Sequence, residues 1–294
     1  MQGSFDLALL CFSSPASPLN SGLWLLASIV TLEASMNSLE ITPPDPPLPP
    51  LPPMPDTPSE MGPTWEDDET SATLVLRALF ALVAGGLLLY SQWNSPYSPP
   101  ALFWGKWIWT SVLFNFVLPL LVVWMFFGQG FVHLDWLKNQ KHNAWDYGWN
   151  WKQWKRYALF ALVVTVVMAP FMLYFSRDPA TRLAYSSTFL PPTTNAAEWA
   201  WVLATLVIYM FCWEWCFRGF LLFGTAQGLG WIVAVGLQAV MFGFAHAGKP
   251  PVEFWTSFLG GGALGVICWR EKSFVPAFFV HALVQVAWSV MVRV

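Results

Sequence analysis

Seven stretches of the chain are almost wholly apolar: Leu74 to Tyr90, Trp107 to Phe127, Tyr157 to Phe175, Trp199 to Phe223, Trp231 to Ala245, Phe254 to Trp269 and Phe274 to Val292. A helix needs about 18 apolar residues to cross the hydrocarbon of a bilayer, and these runs reach or approach that length, the fifth marginally. The pattern predicts an all-α, polytopic transmembrane helix bundle of about seven spans, with one either way. Pro119 and Pro170 fall inside spans, where kinks are expected and tolerated. Upstream the pattern stops. Between Pro43 and Pro58 ten of sixteen residues are proline, and an acidic "EDDET" follows. Proline denies the backbone the donors and dihedrals that regular structure needs. Residues 1–72 are therefore expected to be a disordered, acidic, Pro-rich tail, and residues 73–294 the membrane domain. The stretch "GLWLLASIVTL" in the tail is too short to span and lacks the basic flank of a signal peptide.

Composition agrees with the membrane reading: 56% of the 294 residues are hydrophobic and 11% charged, outside the range of soluble domains. Of twenty Trp, those near run ends (Trp104, Trp107, Trp124, Trp199, Trp231, Trp269) are expected in an aromatic belt at the headgroups. The net charge of −3 hides an uneven division, since all fourteen Lys and Arg lie at or beyond Arg77. The loop "DWLKNQKHNAWDYGWNWKQWKR" holds the largest basic cluster, with Lys138, Lys141, Lys152, Lys155 and Arg156, so it is placed in the cytoplasm, with "WREKS" on the same side. His133 and His142 belong with that loop. The chain is thus expected to be a multi-pass protein of the cytoplasmic (inner) membrane, with the lipid bilayer rather than nucleic acid as its surroundings. The four Cys show no metal-like or disulfide-like spacing, and Cys212 and Cys216 read as small apolar filler.

Few ionisable groups remain inside apolar runs. Arg77, near a helix start, can snorkel. Glu214, Arg218, His246 and His281 need partners, because an isolated charge at the bilayer centre costs about 2.5 to 3.5 kcal/mol. Depth lets them meet. Glu214 lies about 13 residues before the "GLG" turn and His246 about 16 after it, which is about 20 and 24 Å from the same end. His281 follows the "REKS" turn by about 12 Å, somewhat shallower. Arg218, four residues after Glu214, shares its face and can pair with it.

Two imidazoles and a carboxylate in a pocket between helices allow two chemistries. Either Glu214, His246 and His281 hold a divalent metal such as zinc, or no metal is used, Glu214 activates a water and the histidines stabilise the oxyanion. Structural polar glue between helices is the bland alternative. A transporter with Glu214 as its proton-coupled group would be expected to show repeated halves, and no internal repeat is present.

Three segments together resemble the CPBP family of intramembrane proteases, which includes prenyl-CAAX endopeptidases and bacteriocin-related Abi proteins. The family's EExxxR motif is matched by "WEWCFRG" with Glu214 and Arg218, its FxxxH by Phe242 and His246, and its HxxxN by His281 and Gln285. The motif core covers residues 199–289. "KPPVEFWTSFLGGGALGVI" between the last two is also similar, with Glu253 and the run Gly260 to Gly262. Trp213 stands where the family has its first Glu, and Gln285 keeps the amide of an Asn. The resemblance implies an intramembrane endopeptidase, metallo- or glutamate-type, acting on a membrane-anchored protein or peptide. Its site would comprise Glu214 as base or ligand, Arg218 as its partner, His246, His281 and Gln285. The alternative is a non-catalytic scaffold or immunity-type binding protein of the same fold, because the first Glu is absent. Glu253 reads chiefly as a helix-start acid favoured by the dipole, and Gly260 to Gly262 as close-packing positions.

Overall fold

A computed structural model of the protein describes residues 71–126 and 147–293. The Pro-rich tail, and His133, Lys138, Lys141 and His142 of the basic loop, lie outside the described residues. In chain order the elements are α1 (Ser71–Trp93), α2 (Trp104–Val112), a π-helical turn (Leu113–Val117), α3 (Leu118–Phe126), α4 (Trp154–Phe175), α5 (Pro179–Ala184) and a second π turn (Tyr185–Phe189). Next come α6 (Ala196–Glu214), a third π segment (Trp215–Leu221), α7 (Leu222–Leu229), α8 (Trp231–Phe244), α9 (Pro251–Glu271) and α10 (Val275–Met291).

Each of the seven apolar runs falls on helix. Five helical stretches are long and apolar enough to cross a membrane, and α8 and α10 are shorter apolar helices. The chain is an integral membrane protein. The first π turn ends two residues before Pro119, whose missing N–H breaks the ordinary ladder, so the widened turn absorbs the irregularity. By contrast α4 continues through Pro170. Gly230, at φ 77°, reverses the chain between α7 and α8 in a conformation a side chain would resist.

The bundle is closed by packing of α10 on α4 and α6, of α8 on α9 and α7, and of α1 on α7. Its main core is aromatic, with Trp215, Phe217, Phe220 and Phe274 fully enclosed. Of the expected glycine run only Gly261 works at a contact: a Cβ there would stand 3.1 Å from the Phe242 ring and 3.3 Å from the Ala239 backbone, while one at Gly260 would meet nothing. Polar glue is present, but away from the predicted site. Asn115 Nδ2 donates to Gln92 Oε1 (2.7 Å), Gln92 donates to the Ser111 hydroxyl, and Ser111 donates to the Trp107 carbonyl (2.8 Å), all of it buried.

Two placements expected from sequence are corrected. Trp104 and Trp107 are buried rather than set in an aromatic belt, Trp104 donating its indole N–H to Thr205 Oγ1 at 2.8 Å. Position at a run end suggested lipid contact, but α2 turns that face toward α6. Trp124 and Trp231 are exposed, as a belt requires. The two basic loops do lie together. Arg156 pairs with Glu271, Tyr157 donates to the same carboxylate (3.1 Å), and Ser273 Oγ donates to the Asn150 carbonyl (2.7 Å).

Candidate active site

Glu214 is the last residue of α6, and Arg218 sits within the π segment that follows. Both side chains are 0% exposed, and Arg218 Nη1 lies 2.8 Å from each carboxylate oxygen. The guanidinium also rests on the Phe242 ring, 4.0 Å from its centre. Its Nε and Nη2 find no acceptor among the described residues, so Glu214 and the aromatic face are what compensate this buried charge.

His281, on α10, brings Nδ1 to 2.5 Å from Glu214 Oε1. His246, two residues past the end of α8, has Nδ1 2.8 Å from the Phe242 carbonyl. Carbonyl and carboxylate oxygens only accept, so with neutral rings each Nδ1 carries the hydrogen and each Nε2 keeps its lone pair. The two rings lie 6.4 Å apart at 24°, and Phe242 packs on His246 at 4.6 Å. The Phe of FxxxH is thus the platform that joins Arg218 to His246, a role not read from sequence.

Sequence placed Glu214 opposite His246 with His281 shallower, whereas the direct contact is with His281. The depth estimate assumed a uniform rise per residue. Glu214 is followed by seven π-helical residues, whose wider turns advance less and shift the register of everything beyond them.

These groups border a cavity of about 50 Å³, whose polar wall holds His246, His281, Gln285, Lys249 and Glu253. Glu214 and Arg218 stand behind that wall. Trp213 is in it, edge-on to His246 with ring centres 6.0 Å apart. On the far side Lys249 Nζ is 3.2 Å from Glu253 Oε1 and 3.1 Å from the Tyr185 hydroxyl, and Tyr185 donates its own proton to Glu253 Oε2. Burial, and then the adjacent Glu253 carboxylate, hold the Tyr185 phenol well above its ordinary value. It therefore remains a donor. Neither Lys249 nor Tyr185 belongs to the three motifs. The Lys249–Glu253 pair at i, i+4 directly after His246 was the available signal, and Tyr185, from a distant segment, left none.

No group of three His, Cys, Asp or Glu among the described residues is arranged to hold a metal ion. Glu214 is turned to Arg218 and His281 rather than to a point shared with both imidazoles.

Residues 195–287 match a family model described as type II CAAX prenyl endopeptidase Rce1-like, and that stretch contains every predicted site residue. No curated protein and no solved structure matches the chain.

Proposed function

We propose, from the match of residues 195–287 to the Rce1-like type II CAAX prenyl endopeptidase model, that this protein is an intramembrane endopeptidase. Its substrate is a membrane-anchored protein or peptide, and its place is the cytoplasmic membrane. The observation that carries the reading is the facing pair His246 and His281 at one cavity, each with Nδ1 fixed by an acceptor. Fixed tautomers leave both Nε2 lone pairs to accept hydrogen bonds, from an attacking water and from a substrate N–H. Such groups act strongly because they are oriented before substrate arrives.

Glu214 acts through His281. Its carboxylate holds the ring's rotamer and tautomer, and Arg218 holds the carboxylate, which makes both positioning residues. Gln285, one helical turn after His281 and also in the cavity wall, is a donor for the substrate backbone. As arranged, Glu214 is turned to Arg218 and His281 rather than to a zinc shared with both imidazoles, and the chelator in the assay below separates metal from metal-free chemistry.

A second reading, a non-catalytic binding protein of the same fold, is favoured by one observation: Trp213 occupies cavity wall where related sequences place an acid. The two differ in one assay. Detergent-purified protein is incubated with a library of membrane-anchored C-terminal peptides, beside His281→Ala and with a chelator. The endopeptidase reading expects cleavage that falls about 10²- to 10⁴-fold in the variant and is unchanged by chelation. A binding protein retains peptides without cutting them.

A further inference from the structure

Peptide hydrolysis needs a group that takes a proton from water and later gives one to the leaving nitrogen. Glu214 cannot touch a water in the cavity, because its side chain is wholly enclosed and both oxygens face Arg218. His281 keeps an Nε2 lone pair, but its Nδ1 is already committed to Glu214. The described cavity wall contains one carboxylate, Glu253.

Resting on the endopeptidase reading above, we propose that Glu253 is a catalytic residue, the carboxylate that activates the water in the cavity it lines with His246 and His281. Three observations carry this. Its side chain is 25% exposed, in a cavity with room for a few waters. Tyr185 donates to Oε2 and Lys249 lies on Oε1, and a carboxylate with about four acceptor positions keeps two for water. The same two contacts fix the group in place, as a base on a rigid helix must be.

In the step, a water O–H proton passes to Glu253 while the water oxygen bonds to the scissile carbonyl carbon and the C=O π pair moves onto oxygen. Lys249, which lines the cavity, donates to the charge that forms. When the oxyanion re-forms C=O, the C–N bond breaks and the leaving nitrogen takes the proton from Glu253. The products are one carboxylic acid and one amine, and Glu253 is again a carboxylate.

The test uses the full chain in detergent and a peptide that the wild type cleaves. Glu253→Gln keeps the shape and the bond from Tyr185, gives up acceptance from Lys249 and cannot accept a proton, so kcat should fall about 10²- to 10⁴-fold, with KM within a few-fold and only a small fall in thermal midpoint. Trp213→Glu, made in that variant, places an acid beside His246 in the same wall and should restore part of the lost kcat, which a structural role for Glu253 would not permit. The wild-type acid limb of kcat should fall in the carboxylate range rather than in that of an imidazole. Should Glu253→Gln fail to fold, Glu253→Asp and that pH profile decide. Wild-type kcat in Glu253→Gln, or an acid limb in the imidazole range, overturns the proposal and leaves the endopeptidase standing. A wild type that cleaves nothing in the library overturns both.

Discussion

At the scale of single residues, Glu214 and Arg218 explain how two charges persist in an apolar run. They are wholly buried, bound to each other, and shared with the Phe242 face and His281. Removing one partner of such a pair leaves the other charge uncompensated. Glu214→Gln should therefore destabilise the fold by about 3 to 5 kcal/mol, measured as a large fall in thermal midpoint in detergent. The double variant Glu214→Gln/Arg218→Met should recover much of that loss, and a Glu214→Gln protein as stable as wild type would refute the pairing. Glu214→Gln is thus not a clean probe of chemistry. Burial makes it first a probe of stability. His281→Ala is the cleaner probe, since it leaves the ion pair intact. The pairing of Glu214 with Arg218 is legible from i, i+4 spacing alone, and the three motifs single out His246 and His281. Tyr185 is not legible, because nothing local ties a residue 68 positions before Glu253 to it.

At the scale of elements, the apolar runs announce their helices, since a membrane leaves the backbone few other ways to satisfy itself. What they do not announce is register. The π segment Trp215–Leu221 rotates and shortens the helix just where the site residues are carried, so axial counting pairs Glu214 with the wrong histidine. Trp104 and Trp107 were misjudged for a related reason: hydropathy cannot separate a lipid-facing tryptophan from one that lines a cavity. Helix contact makes its own prediction at Gly261. Gly261→Val must push Phe242 and the Ala239 backbone aside and should cost about 1 to 3 kcal/mol. Because Phe242 carries both Arg218 and His246, activity should fall with it. Gly260→Val, with no atom within 4 Å of its new Cβ, should leave stability and activity near wild type. Equal effects of the two variants, read by thermal unfolding and turnover, would contradict this packing.

At the scale of the whole molecule, the two basic loops are tied to each other through Arg156, Tyr157, Glu271, Ser273 and Asn150. They must therefore face the same compartment, which on the topology proposed from the basic bias is the cytoplasm. In a Cys11→Ser background, where the other cysteines are buried, Lys152→Cys should react with a membrane-impermeant thiol reagent from the cytoplasmic side alone, and Arg177→Cys from the opposite side alone. The reverse pattern would invert the topology. The larger claim is that this bundle brings two oriented imidazoles and a carboxylate to one cavity in order to hydrolyse a peptide bond. The most direct check is the product mass from a membrane-anchored peptide incubated with purified wild-type protein and chelator. The account predicts two fragments whose masses sum to the substrate plus one water, and no such fragments with His281→Ala. An intact substrate, bound but uncut across the whole library, would contradict it and leave a binding protein with Trp213 in the place of an acid.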